Sequence, residues 1–369
     1  MNPIPRELPY KKVGRQVLFT ETNEQIPRTG EGAFIQLKDG TIMHAYSEYF
    51  GQGASDHASA NIAVIYSYDQ GETWGDKKIL VEKDPDALNV MSVSFLRLQN
   101  DEILMFYSRK ILINDRVFGR KQVIRSSDEG KTWSAPLGIW VDDENNHILN
   151  NDRVIQLQSG RIVVPFAKYD MVKNKTLQNG ALMFLLSDDN GYTWYDSGNH
   201  LEFPLEDLSG YEEPGLYQHA DGTLWCYART DVGCQFELTS QDDGITWSRP
   251  RANTFFTGTR APILVKKVCD KYTVAVFSSI TLYTGRNRGK LLGRSPYLLA
   301  VSENDGVGHN EKAFTRLYYL EDDIHNDYAY PAIMDGGDYF LVAYYHSDGM
   351  EKPLNRLKIV KVDVNEIAN

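Results

Sequence analysis

SYDQGETW (67–74), SSDEGKTW (126–133), SDDNGYTW (187–194) and SQDDGITW (240–247) are four copies of one pattern, S-x-D-x-G-x-T-W. A worn fifth copy, SENDG (302–306), keeps Ser302 and Gly306 and carries Asn304 in place of the aspartate. The Asp/Asn positions 69, 128, 189, 242 and 304 are separated by 59, 61, 53 and 62 residues. A period near 59 divides the 369 residues into about six units, and self-similarity at a fixed period signals a repeat architecture.

A second marker recurs in phase with the first. LKDGTIMHAY, LQNDEILMFY, LQSGRIVVPF and HADGTLWCYA each set a turn signal between apolar runs, and KVCDKYTVAVF and DGGDYFLVAYY continue the series. Such dipeptides between β-rich stretches mark hairpins. Each unit therefore reads as one four-stranded sheet. Six of them close into an all-β, six-bladed β-propeller, expected to occupy residues 1–369 as one domain. RLKIVKVDV (356–364) reads as a late strand of the sixth blade and RQVLFTE (15–21) as the edge that completes it, which would remove two exposed edges.

Within the box, Ser and Asp side chains can bond local backbone donors, and Gly supplies a positive φ. Trp is expected to pack beneath the turn between neighbouring sheets. A carboxylate that caps its own turn faces away from a central channel, so the box aspartates are read as structural.

Composition narrows the function. With 39 basic against 50 acidic residues the net charge is -11, which repels phosphate backbones and argues against nucleic-acid binding. The 22 Tyr and 6 Trp suit half-buried strands and surfaces that stack on sugars. Cys226, Cys234 and Cys269 form no disulfide framework and no zinc spacing, and no Gly-rich phosphate loop is present; no metal or cofactor is implied. No apolar run has the length of a signal peptide or membrane span. The expectation is a soluble chain without membrane insertion, cytoplasmic as given, or periplasmic or secreted if a signal has been removed.

In a propeller the first strand of each blade lines the channel. The six inner segments begin near Glu31, Ser92, Asn151-Asp152-Arg153, Glu212-Glu213, Arg260 and Tyr328-Tyr330. Polar or ionisable residues at five of six equivalent places predict a wet, functional mouth.

Around these positions the chain resembles the sialidases (neuraminidases) of the six-bladed Asp-box type. In SDHASANIAVIYSYDQGETW, Asp56 lies eleven residues before Ser67, where the family keeps its acid/base aspartate. In EPGLYQHADGTLWCYAR, Glu213, Asp221 and Arg229 follow the family's Glu, D-G, Arg order. Arg294 in RSPYLLAVSENDG precedes a later box by the interval of a family arginine. Tyr330 in DYAYPAI is similar to the family's nucleophile segment, although Pro331 stands where a serine is usual. The resemblance implies a retaining exo-glycosidase with a glycan substrate. Asp56 would be the acid/base, Tyr330 the nucleophile and Glu213 its activator, with Arg229 and Arg294 gripping a carboxylate. A neutral tyrosine suits a sugar whose anomeric carbon carries a carboxylate, because a carboxylate nucleophile would be repelled there.

One departure stands out. The family begins its first inner strand with R-I-P, whereas this chain has TGEGAFIQL, with Gly30 or Glu31 in the place of the arginine. Arg28 is two residues upstream. Other candidates for the lining are His57, Arg109, Asp152, Arg153, Arg260 and His346, with Arg109, Lys168 and His346 expected to end equivalent second strands and point into one mouth. Two other readings stand beside the hydrolase. A non-catalytic glycan-binding propeller predicts Asp56 apart from the Glu213/Tyr330 pair. A polysaccharide lyase on the same scaffold would use His57, His346 and Tyr330. The oligomeric state is not legible.

Overall fold

A computed structural model describes residues 10–368 apart from 52, 141–143, 172–178, 206–207, 259, 280–292, 304, 306–312, 324 and 349–351. The first blade holds β2 (Arg28–Gln36), β3 (Ile42–Tyr49), β4 (Ala60–Ser67) and β5 (Gly75–Val81). The second holds β6 (Ala87–Arg97), β7 (Ile103–Ile113), β8 (Arg116–Ser126) and β9 (Leu137–Trp140). In the third, β10 (Asn145–Ile148) and β11 (Ile155–Gln156) share the inner edge of β12 (Ile162–Asp170), followed by β13 (Ala181–Ser187) and β14 (Tyr195–Asp196). The fourth is β15 (Glu212–Gln218), β16 (Leu224–Arg229), β17 (Cys234–Ser240) and β18 (Arg251–Thr257). The fifth is β19 (Leu264–Val268), β20 (Tyr272–Ser278), β21 (Tyr297–Ser302) and β22 (Arg316–Glu321). The sixth joins β23 (Tyr328–Asp335), β24 (Tyr339–Asp348) and β25 (Lys352–Asp363) to β1 (Arg15–Phe19), in the order β1-β25-β24-β23. The chain is a six-bladed β-propeller. Of the worn fifth box, positions 304 and 306 lie outside the described residues.

The boxes show why the repeat is conserved in form within the chain. Ser67 Oγ accepts the Gly71 amide at 2.8 Å and donates to Asp69 Oδ1 at 2.8 Å. Asp69 also accepts the Thr73 amide at 2.9 Å and the Thr73 hydroxyl at 2.6 Å. The other three full boxes repeat the Ser, Gly and Thr bonds. The threonine bonds lead in pulling Asp69 and Asp128 down to about 2, so both are fixed as acceptors. Each tryptophan packs at a seam between blades: Trp74 against blades six and one, Trp133 against one and two, Trp194 against two and three, Trp247 against three and four.

The inner strands share one backbone device. Glu31, Ser92, Asp152, Glu213 and Tyr330 all have left-handed φ, between 48° and 60°. In β2, β6, β15 and β23 the register with the next strand slips at that residue. This is a bulge, which inserts one residue and re-aims its side chain. A positive φ is uncommon for any residue with a Cβ and strained for one as large as tyrosine. Five blades thus carry one strained residue each in or just before the inner strand.

Candidate active site

Two groups of side chains meet the channel mouth. The first is built on the bulges of β15 and β23. Glu213 Oε1 accepts the Tyr330 hydroxyl at 2.8 Å. Arg229, ending β16, lies 3.3 Å from that hydroxyl through Nη1 and pairs with Glu213 through the same nitrogen. Its Nε approaches Glu212 at 3.2 Å, and Arg260 closes the chain by a two-pronged bond to Glu212 at 2.6 and 2.7 Å. The Arg294 guanidinium stands over the Tyr330 ring, 5.6 Å from its centroid.

The electrostatics of this group are divided. Burial would raise the Glu213 carboxyl, but Arg229 and Arg294, with the tyrosine's hydrogen bond, hold it below the usual range. Burial and the Glu213 charge push the Tyr330 hydroxyl upward, only partly offset by the two arginines. The resting arrangement is an ionised glutamate accepting from a neutral tyrosine.

The second group sits on blades one and two. Arg28 lies between the rings of Tyr49 and Tyr345, 4.7 Å from each centroid. Its Nη1 donates to Asp56 Oδ1 at 2.6 Å, and Nη2 is 3.5 Å from Glu31 Oε1. Gly30 is required here, because a Cβ would fall 2.1 Å from the Tyr345 ring. Glu31 is buried and hydrogen-bonded to Ser92; burial raises its carboxyl, against the pull of Arg28. Asp56 is different. Its side chain is 61% exposed, and although partial burial works the other way, Arg28 and Lys110 lower its pKa. Its loop is anchored through the Asp56 carbonyl, which accepts from Lys110 Nζ at 2.7 Å and Asn89 Nδ2 at 3.0 Å.

A cavity of about 360 Å³ joins the two groups, with Glu31, Asp56, His57, Ser92, Glu213 and Tyr330 among its lining residues. The β7–β8 hairpin adds to its wall from above through Asp115, Arg116 and Val117. Asn114 and Asp115 both have positive φ, as a tight two-residue hairpin turn demands.

The BNR repeat-like domain family matches residues 40–342. The chain belongs to that family. This BNR propeller is 24% identical over 250 residues to a sialidase of Paraclostridium sordellii, a match covering 60% of this chain and 58% of that one. The chain therefore spans less than two thirds of that curated relative's length. Among solved structures it resembles a Dyadobacter fermentans protein of unknown function, with a TM-score of 0.74, 19% identity, and coverage of 95% of this chain and 99% of that one. It also resembles the NanB sialidase of Streptococcus pneumoniae, with a TM-score of 0.70, 14% identity, and coverage of 97% and 72%. Family profile, relatives and fold agree on a sialidase-like BNR propeller.

Several sequence expectations meet a different geometry in this BNR propeller. Arg109 does not point into the mouth. It makes a two-pronged bond to Asp84 at 2.5 Å on the opposite face of the blade, while its neighbours Ser108 and Lys110 line the cavity. His346 is likewise turned away, against the rings of Phe19 and Tyr328; Tyr345 is the residue that faces Arg28 and Tyr330. Both differences have the same cause, the two-residue period of a strand, which reverses direction with each position. Lys168 ends 3.4 Å from His200.

Asp152 and Arg153 are buried braces below the cavity. Asp152 pairs with Lys266 at 2.6 Å and accepts the Ile333 amide at 3.0 Å. Arg153 is 1% exposed and donates to the Ile263 carbonyl. Asn151 bonds the Gly32 carbonyl at 2.9 Å and the Pro331 carbonyl at 3.2 Å. The NNDR run thus ties blade three across the channel to blades one, five and six.

Lys110 and Lys121 were not singled out by sequence reasoning. A lysine in a strand ordinarily reads as a solvent-facing residue. The available signal was position: Lys121 lies opposite Ser108 in β7–β8, in register with residues one strand from the channel. Among the described residues no group of three or more His, Cys, Asp or Glu is arranged to hold a metal, and no helix is long and apolar enough to cross a membrane.

Proposed function

We propose that this BNR propeller is a retaining exo-glycosidase acting on terminal sugars of glycans, with sialic acid the first candidate. The observation that carries the reading is the 2.8 Å bond from the Tyr330 hydroxyl to an ionised Glu213, with Arg229 beside both. In the first step the Tyr330 oxygen bonds to the anomeric carbon and its proton passes to Glu213. The glycosidic C–O bond breaks, and Asp56 gives the leaving oxygen its proton. In the second step Asp56 takes a proton from water, the water oxygen displaces Tyr330, and Glu213 returns the proton to the tyrosine.

Arg28, Arg229 and Arg294 contact the lining residues Asp56, Glu213 and Tyr330, and a set of three guanidinium groups there suits a carboxylate on the sugar. Arg28 takes the part of the arginine missing from the first inner strand, reaching the site from the strand's first residue rather than its bulge. Its contact with Asp56 has a consequence for the proton. A substrate carboxylate on Arg28 competes for the guanidinium, which weakens its hold on Asp56 and lets that carboxyl take up the proton the first step needs.

The test is release of free sialic acid from a fluorogenic sialoside, beside aryl glycosides of neutral sugars and a uronate-containing glycan. Turnover of the sialoside, with a loss of at least about a thousandfold in kcat for Tyr330→Phe, is the expected result. Undiminished hydrolysis by Tyr330→Phe removes the tyrosine from the mechanism. Binding of glycans without turnover of any would favour a binding module, and cleavage only of the uronate glycan would favour a lyase.

A further inference from the structure

The cavity has a second cationic end that the catalytic reading leaves unused. Its wall beyond Asp56 is formed by Ser108, Lys110, Gly119, Lys121 and Asn146. Lys121 is 3% exposed, and among the described residues its ammonium has one partner, Ser108 Oγ at 2.8 Å. No carboxylate pairs with it among the described residues. Every other strongly buried cation around this cavity has an anion, an aromatic ring or a carbonyl: Arg28 has Asp56 and two tyrosines, Arg229 has Glu212 and Glu213. A buried, unpaired ammonium is costly, so the group gives up its proton readily unless an anion comes to it. Gly119 makes room for this pair of groups. A Cβ on Gly119 would lie 2.8 Å from Lys121 Nζ and 2.9 Å from Ser108 Oγ.

We propose that Ser108, Lys110 and Lys121 form a second anion subsite, which takes an oxyanion substituent of the bound sugar, a sulfate ester or a carboxylate, apart from the group held by the arginines. This rests on the reading of the cavity as a sugar site and extends it to a substrate class: sugars with a charge at a second place. Lys110 contributes at the border, since its ammonium is bonded to the Asp56 carbonyl and so links the subsite to the loop of the proposed acid. Burial, with Lys110 adding and the Glu31 charge only partly opposing, brings Lys121 down to about 7, so a bound anion would also restore its proton.

The experiment is calorimetric titration of the intact chain with N-acetylglucosamine 6-sulfate against N-acetylglucosamine, and with glucuronate against glucose. The charged member of at least one pair is expected to bind tenfold tighter or more, and the pair that shows it identifies the substituent. Lys121→Met is expected to abolish that advantage while leaving the neutral sugar's affinity unchanged. Gly119→Ala, whose Cβ would crowd the Lys121 ammonium and Ser108 Oγ out of place without removing charge, is expected to act likewise and serves where Lys121→Met does not fold. Equal affinity within both pairs, no binding of any of the four, or an advantage that survives Lys121→Met overturns the subsite; the last places the anion at the arginines. None of these readouts needs turnover. Lysine-dependent binding without hydrolysis of the sialoside or of any aryl glycoside would sink the catalytic proposal alone, and hydrolysis without it would sink the subsite alone.

Discussion

Tyr330 holds its hydroxyl where Glu213 can accept from it because both residues sit on left-handed bulges of their strands. Glu213→Gln keeps a hydrogen-bond acceptor but removes the charge that would take the proton in the proposed reaction. It is expected to lower kcat by roughly 10²–10⁴ with the fold intact, measured by steady-state kinetics beside circular dichroism. Lys121 gives a prediction on stability. Its folded pKa is depressed from 10.5 to about 7 by burial. Below pH 7 the folded chain carries the buried charge and bears its full cost. As the pH rises from 7 to 10.5 the unfolded chain alone holds the proton, and the cost fades. Lys121→Met is therefore expected to raise the urea midpoint more at pH 6 than at pH 9.5; an equal or reversed effect contradicts a depressed pKa. At this scale the sequence was legible where chemistry and spacing coincided, as at Glu213, Arg229 and Tyr330. It was not legible for Lys121, because nothing local distinguishes a buried lysine from a solvated one.

At the scale of the element, the Asp-box and the inner-strand bulge divide the labour. The box locks the turn that delivers a tryptophan to the blade seam. Ser187 is fully buried, accepts the Gly191 amide at 2.8 Å and donates to Asp189 at 2.9 Å. Ser187→Ala leaves that amide and carboxylate unmet, and is expected to lower unfolding free energy by about 1–3 kcal/mol without changing KM. The readout is a shift in denaturant midpoint at constant slope, and a changed KM would mean the box communicates with the site. The boxes could be read from sequence because the motif is local. The bulges could not, since one inserted residue depends on the partner strand. That is also why Arg28 looked misplaced when counted along an ideal strand. Arg109 and His346 lie in the second halves of β7 and β24, yet only the observed register shows that their neighbours face inward.

At the scale of the molecule, the repeat period alone was enough to count six blades, and box spacing put Asp56 on the first and Tyr330 on the last. What it left out was the cross-channel bracing by Asn151, Asp152 and Arg153, which no repeat encodes because each brace is unique to one blade. Closure rests on β1, whose Arg15, Gln16, Leu18 and Phe19 pair with Lys361, Val360, Ile359 and Lys358 of β25. Removing residues 10–19 would expose that edge. The expected outcome is a lower melting temperature and concentration-dependent scattering, while a truncated chain as stable and monodisperse as the full one would assign closure elsewhere.

The antiparallel register of that same closure has a mechanical side. Arg15, the start of β1, lies beside Lys361, near the end of β25, so both chain directions leave the sheet at one corner. Tension drawn across that corner would part the pairs in succession, as a zipper opens, instead of loading them together in shear. The sheet that yields first would be the one whose inner strand carries Tyr330, so a pull on the two flanks would reach the proposed nucleophile before any other blade gave way.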